Sequence, residues 1–521
     1  MTIPWLTILA LLPAVGAVVL IFTGAKGAKQ LALVFSLLTF AFALVIASRF
    51  RIGGGMQLVE QVPWIKPLGA YYALGLDGLG LTLVLLVVII TPVVIIASWR
   101  DFDGVAVNAE PIDGRTATIA PKYDARVFFA LILAVQSCAL FLFLATDVFL
   151  FYVFFEVILV PMYFLIGGFG PGPRRTYAAA KFLIFGLLGG FVMLASVIGL
   201  YVQSAKVGAP SYLLSTLSQL DIATGTGRWL FVGFMFAFAI KAPLVPLHTW
   251  LPDAAEESTP GSATMMVGVM DKIGTFGMIR FCLGLFPEAS QWATPVVLVL
   301  ATISILYGAI LAIGSRDIMR FVAYTSISHF GFIVLGIFAF TSQSLTGSTL
   351  YMLNHGMSTA ALFVMAGYLI KRRGSRDINA YGGVDQVAPV LAGLLLFAGL
   401  STLSLPGLSS FVSEFMVLAG TFGRHPAYAA ISTLAIVLAA LYILIMYQRT
   451  MTGPVAPEVR EKVTEINGRE RLAMAPLVLL ILLLGFFPKP LLSIIEPSTQ
   501  ATMQHVGVTD PQPRVSAEGG R

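Results

Sequence analysis

The chain has 521 residues, of which 58% are hydrophobic and only 11% charged. A soluble protein carries about a quarter charged residues, so a water-soluble enzyme, a DNA-binding protein and a disordered scaffold are excluded. The 32 Lys and Arg against 26 Asp and Glu leave a net charge of +6, which in so apolar a chain reads as loop charge that sets membrane topology.

Runs of about 20 apolar residues read as membrane helices. Fourteen such segments follow in order: 3–22, 28–48, 74–98, 127–145, 147–170, 178–203, 228–246, 262–285, 293–313, 318–341, 347–371, 388–423, 428–449 and 472–495. The first lacks a basic flank and a small-residue cleavage site, so it is expected to be a retained helix rather than a signal peptide. The fourth and fifth are parted only by Ala145-Thr146-Asp147, a tight turn. The twelfth is too long for one plain crossing, and Leu405-Pro406-Gly407 should break it. The expected fold is an all-α integral membrane protein with 14 transmembrane helices.

Loop charges test that count. With the N-terminus outside, and with the charges toward segment ends (Lys29, Arg228, Arg320, Lys371, Arg449 and Lys489) counted with the adjoining loop, the loops after odd-numbered segments hold 19 Lys or Arg and the opposite side 9, with Lys181, Lys241, Lys272 and Arg280 inside segments. The bias predicts odd loops in the cytoplasm and both termini outside. The longest loops, Trp99 to Arg126 and Arg449 to Arg471, are predicted to be polar and cytoplasmic. The tail after Pro497 is predicted to be polar and frayed, with no long amphipathic helix following the fourteenth segment.

Ionisable side chains inside a membrane cost roughly 2.5–3.5 kcal/mol each on insertion scales, so they are functional candidates. Glu156, Lys241, Asp271, Lys272, His329, His355 and Glu414 all fall near the middle of their segments. Glu156 lies among aromatic residues, as a tunable proton carrier or counter-ion. Lys241 precedes Pro243 and Pro246, which should free the carbonyls of Ala239 and Ala242 and break the helix at the lysine. A Glu156–Lys241 pair would be a switchable charge, if the fold joins them. Asp271 and Lys272 are adjacent, hence about 100° apart on a helix, so Asp271 is either a local counter-charge or faces another helix. His329 and His355, with Ser326, Ser328, Asn354 and Ser358 close in sequence, suggest a proton relay, because histidine titrates near neutral pH. Glu414 follows the second break and three serines, a second proton site. His248, His425 and His505 read as non-functional.

The two breaks lie five segments apart, so segments 4–8 and 9–13 read as inverted-topology repeats with broken helices 7 and 12. The chain divides into residues 1–126 (three N-terminal helices and a loop), 127–285 (first repeat), 293–449 (second repeat) and 450–521 (loop, last helix and tail). Cys138 and Cys282 read as core residues, too few for an iron–sulfur cluster and a poor basis for a metal site. No dinucleotide fingerprint, Walker A motif or haem-attachment motif is present, so redox chemistry belongs to other subunits.

Phe155-Glu156 through Val160-Pro161-Met162-Tyr163 resembles the fifth-helix motif of the antiporter-like proton-pumping subunits of bacterial NADH–quinone oxidoreductase, respiratory complex I. Lys241-x-Pro243 through Pro246-Leu247-His248-x-Trp250-Leu251-Pro252-Asp253-Ala254 is similar to their most distinctive motif. Ala323-Tyr324-Ser326-Ser328-His329-Gly331 and Phe411-x-x-Glu414-Phe415 also match. Glu414, where the L and N branches and the Mrp cation/proton antiporter subunits usually carry lysine, points to the M branch. The resemblance implies that Glu156 and Lys241 are a switching pair, Lys272 a central relay, and His329 and His355 a path to Glu414. It implies no cofactor in this chain, with NADH, FMN, iron–sulfur clusters and quinone in partner subunits. Other membrane-arm subunits, L and N on either side, and the lipid bilayer of the bacterial inner membrane are the implied partners, with no nucleic acid. An Mrp-type or hydrogenase-linked cation/proton antiporter subunit and an assembly scaffold are the competing readings. Two departures stand out. The run Asp253-Ala254-Ala255-Glu256-Glu257-Ser258-Thr259-Pro260 lacks the family's loop histidine, and Asp271 beside Lys272 is unusual.

Overall fold

The computed structural model of the chain describes residues 3–103, 120–208 and 210–512. Within them, ten helices are long and apolar enough to cross a membrane, or eleven if one bent pair counts as a single span. The apolar runs form helices because in hydrocarbon every backbone N–H and C=O must be paired within the chain.

The elements in chain order are α1 (Trp5–Phe22) and α2 (Ala25–Arg49), then a hairpin of β1 (Gln57–Ile65) and β2 (Ala70–Leu76). There follow α3 (Gly78–Ala97), α4 (Ala125–Leu144), α5 (Val148–Phe169), α6 (Arg175–Lys206) and α7 (Thr224–Lys241). Next come the short α8 (Trp250–Glu256), α9 (Pro260–Met265) and α10 (Lys272–Gly277). Long helices resume with α11 (Pro287–Gly314), α12 (Ile318–Phe338) and α13 (Ser342–Arg373). The chain ends in α14 (Pro389–Thr402), α15 (Ser409–Arg424), α16 (Pro426–Met451), α17 (Gly468–Phe486) and α18 (Lys489–Val506).

The helices sort into an inner and an outer set. The most apolar windows of α12 and α13 are 94% and 89% buried, whereas those of α1, α6 and α16 are only 39% buried. Outer helices present Leu11, Val18, Ile184, Phe191 and Val437, a surface suited to lipid or to neighbouring subunits. α13 is the hub and packs against α3, α12, α14, α15 and both halves of the last bent pair.

Three predicted segments are not continuous α-helices. The seventh stops at Lys241 and restarts at Trp250. The eighth, residues 260–283, alternates α-turns with wide π-turns at Met266–Met270 and Met278–Leu283. The twelfth breaks between Thr402 and Ser409, around Leu405-Pro406-Gly407 as its composition predicts.

The all-α expectation needs correction. Residues 57–76 form an antiparallel hairpin where a plain loop and the start of the third helix were expected. β-branched and aromatic residues such as Val59, Val62, Tyr71 and Tyr72 favour the extended chain. The Asp77 side chain accepts from the Gly80 N–H at 2.8 Å and starts α3 only there. The hairpin's Glu60 caps α1, accepting from the Leu6 N–H at 2.6 Å and the Thr7 N–H at 3.1 Å.

The fourteenth segment also differs. α17 and α18 meet at a 72° bend, and α18 continues past Pro497 to Val506. Its buried Leu491, Ile495, Thr499, Met503 and Val506 recur at helical spacing, so an amphipathic helix stands where a frayed tail was predicted. A window average over this polar stretch hides the stripe. Residues 104–119 of the loop predicted from Trp99 to Arg126, and residues 513–521 of the tail, lie outside the described residues.

Candidate functional site

The first break builds the start of the site. α7 ends at Lys241 because Pro243 and Pro246 cannot continue its hydrogen bonds. The Ala239 carbonyl, expected to be free, is instead taken by the Leu244 N–H at 3.0 Å. The Trp250 indole donates to the Ile240 carbonyl at 3.0 Å, and the Ser304 hydroxyl accepts from the Val245 N–H at 2.9 Å. Backbone released at the break is thus re-paired by one backbone N–H and two side chains at membrane depth. Lys241 Nζ sits 4.6 Å from the centre of the Phe155 ring, a cation–π contact.

Glu156 comes from α5, one residue after that ring. Its carboxylate lies against Gly190 of α6, where a methyl group would stand 1.5 Å from Oε1. Glu156 and Lys241 are close enough for each to act electrostatically on the other. Neither the carboxylate oxygens nor Lys241 Nζ has a hydrogen-bond partner among the described residues.

Lys272 is fully buried in the π-rich eighth segment. Its Nζ donates to the Val267 carbonyl at 2.6 Å and lies 2.8 Å from His355 Nδ1 of α13. The His355 and His329 rings are 5.2 Å apart, edge to face. His355 Nε2 and His329 Nδ1 lack partners among the described residues. His329 lies 5.9 Å from the Tyr351 ring, and the Tyr351 hydroxyl donates to Glu414 Oε2 at 2.7 Å. The Ser404 hydroxyl donates to the same oxygen at 2.7 Å. Ser404 sits in the second break with φ +61°, a conformation costing about 1–3 kcal/mol in a non-glycine residue, and that turn brings its hydroxyl to the carboxylate.

Tyr351 and Ser404 were not foreseen from sequence. Tyr351 is one helical turn before His355, and that i, i+4 spacing on a polar face is the signal that could have found it. The serines that were foreseen act differently. Ser326 and Ser358 donate to carbonyls one turn back in their own helices, those of Val322 and His355, and Ser328 donates across to the Ile305 carbonyl of α11. Asn354 reaches the Ser409 carbonyl at 2.7 Å and Ser413 Oγ at 3.2 Å, bracing α15. Of the three serines before Glu414, none is a hydrogen-bond partner of its carboxylate among the described residues; Ser413 donates to the Ser410 carbonyl.

At one end of the bundle the loop lacking a histidine holds an ion cluster. Asp253 receives Lys181 at 2.7 Å and Arg320 at 2.8 Å, and Arg320 also pairs with Glu256. Burial pushes the Glu257 carboxyl in this loop up to about 7, against the pull of Arg376. Burial likewise raises Asp317, the N-cap of α12, to about 6. His248 is buried against Tyr307, with ring centres 5.2 Å apart, and His505 Nε2 lies 2.9 Å from the Gly284 carbonyl. Cys138 and Cys282 are both buried and unpaired. No group of three His, Cys, Asp or Glu suited to a metal ion occurs among the described residues.

The arrangement defines a class: a multi-pass helical membrane protein whose interior carries a file of ionisable side chains across several helices. The chain belongs to the family described as NADH:quinone oxidoreductase/Mrp antiporter, TM, which matches residues 145–443. It is similar to NADH-quinone oxidoreductase subunit M of Mycobacterium tuberculosis H37Rv, with 49% identity covering 99% of this chain and 96% of that one. It is 33% identical to subunit M of Escherichia coli K12, covering 94% of this chain and 96% of that one. A chain of the solved respiratory complex I from Thermus thermophilus superposes with a TM-score of 0.85 at 32% identity, over 96% of this chain and 100% of that one. A chain of the Mrp complex from Dietzia shares the fold, with a TM-score of 0.80 at 21% identity over 97% of this chain.

Proposed function

We propose that this chain is the M-type proton-translocating subunit of a membrane-bound NADH:quinone oxidoreductase. The observation that carries the reading is the file of half-buried Glu156 and buried Lys241, Lys272, His355, His329 and Glu414, in a chain 49% identical to a subunit of that name. Lys241 and Glu414 lie beside helix breaks and Lys272 lies between two π-turns, where a charge can be hydrated and moved, while His329 and His355 sit in the unbroken α12 and α13.

In this reading Glu156 and Lys241 form the switch, held near each other without a hydrogen bond and therefore free to separate. A proton then passes from Lys272 to His355 over their 2.8 Å contact, on to His329, and to Glu414 through the Tyr351 hydroxyl. Electron transfer among NADH, FMN, iron–sulfur clusters and quinone in partner subunits supplies the energy. Fourteen crossings, two inverted five-helix units broken at the seventh and twelfth, outward-facing termini and L- and N-type neighbours complete the proposal. The four-part division at residues 126, 285 and 449 follows from it.

The test is proton pumping by Lys241→Ala in the intact complex. Loss of pumping with NADH oxidation by a soluble acceptor preserved supports the role, and a normal proton yield from an assembled complex overturns it. Co-purification with membrane antiporter subunits alone, and sodium-dependent proton exchange in vesicles, would favour the Mrp-type reading instead.

A further inference from the structure

We propose that Asp271 is a proton-holding carboxylate set between Lys241 and Lys272, so that a proton crossing between the two lysines stops on it. The inference rests on the proposed function and adds a step to it.

Asp271 is fully buried, and neither carboxylate oxygen has a hydrogen-bond partner among the described residues. A buried carboxylate left bare is costly, so it must take a proton or face cations. Its backbone supplies the direction. Asp271 closes the first π-turn, its N–H donating to the Met266 carbonyl at 3.0 Å. Three residues on, hence on the same side, Gly274 presses on the end of α7. A methyl there would lie 2.5 Å from the Ala242 nitrogen and 2.7 Å from the Phe238 carbonyl oxygen. Gly277, a further three residues along, meets the Phe238 ring in the same way. The 271–274–277 side therefore faces the helix that ends in Lys241.

Lys272 and Thr275 face elsewhere. Lys272 reaches His355, and Thr275 donates to Met352 Sδ at 2.8 Å, both on α13. Two adjacent residues thus address two different helices, as the roughly 100° between neighbours on a helix requires. The charged groups acting on Asp271 are Lys272 and Lys241, and Lys241 in turn answers to Glu156.

The chemistry balances without any co-reactant. The Lys241 ammonium gives a proton to the Asp271 carboxylate: an N–H bond breaks, an O–H bond forms, and two buried charges become a neutral pair. The acid then gives its proton to the neutral amine of Lys272 and is a carboxylate again. One positive charge has moved from Lys241 to Lys272, by direct contact or one bridging water.

The test uses Asp271→Asn and Asp271→Glu in the whole complex, reconstituted in vesicles, beside Lys241→Ala. Asparagine keeps the shape and removes the proton site. Coupled pumping should fall about a hundredfold in Asp271→Asn, the usual scale for losing a positioned proton-transfer group, and recover in Asp271→Glu. Pumping at the wild-type rate by Asp271→Asn, with Lys241→Ala inactive, overturns this inference alone. Wild-type pumping by both overturns the proposed function as well. If Asp271→Asn does not assemble, infrared difference spectra of oxidised against reduced complex decide the matter. A protonated-carboxyl band that shifts in Asp271→Glu supports the proton site, and a spectrum unchanged from wild type overturns it.

Discussion

Replacing Tyr351 by Phe removes one hydroxyl and leaves the ring, with its neighbours His329 at 5.9 Å and Phe332 at 6.4 Å. That hydroxyl is one of two donors to Glu414 Oε2, each at 2.7 Å. A hydrogen bond to a charged group contributes about 1.5–3 kcal/mol, so ionised Glu414 loses that much and its proton leaves roughly 10- to 150-fold less readily. If Glu414 releases a proton in every cycle, coupled turnover should fall on that scale. The assay is NADH-driven acidification of sealed vesicles holding the reconstituted complex, with NADH oxidation by a soluble acceptor as the control. Ser404→Ala should act in the same direction, and the double variant should be worse than either because it leaves the carboxylate bare. Unchanged acidification by an assembled Tyr351→Phe complex would refute the idea that protons pass through Glu414 by way of this hydroxyl.

Three further outcomes are expected. Gly190→Ala places a methyl 1.5 Å from Glu156 Oε1, so the flexible carboxylate must swing away; the complex should assemble with coupled turnover strongly reduced, read by the same vesicle assay. Trp250→Phe leaves the Ile240 carbonyl without its indole donor. This should cost about 1–3 kcal/mol, seen as earlier loss of the subunit on heating the purified complex. Glu257 is held above the ordinary carboxylate range, at about 7, so the fold favours its neutral form. Its contribution to stability is present at low pH, declines as pH rises toward about 7 and is flat above that. Glu257→Gln should flatten the thermal stability of the complex across that window, and an unaltered pH profile would show that the carboxyl is not responsible.

The long helices were legible because a twenty-residue apolar run admits few alternatives in a membrane. The breaks at Lys241 and at Leu405-Pro406-Gly407 were legible because proline removes a donor the helix needs. The hairpin at 57–76 was not, since its aromatic and aliphatic residues also suit a helix in a hydropathy average. The helix through Pro497 was missed because its apolar residues are sparse and only their four-residue spacing marks them. Within the site, charges in apolar runs announced themselves one by one. Their partners did not: Tyr351 and Ser404 are ordinary residues until α13 and the second break bring them to Glu414. The direction of Asp271 hinged on Gly274 meeting backbone atoms of a helix some thirty residues earlier, a long-range contact that no local pattern encodes.

The seven-residue helix after the first break, α8, is tied at both ends. At one end Trp250 grips the Ile240 carbonyl; at the other Lys181 and Arg320 clasp Asp253 and Glu256. The backbone beside Lys241 and the ion cluster are thus joined through one short helix, separate from the helix that carries Phe155. The ion cluster and the interior lysine are therefore separated by little more than the break and this braced helix, so the two share one mechanical support.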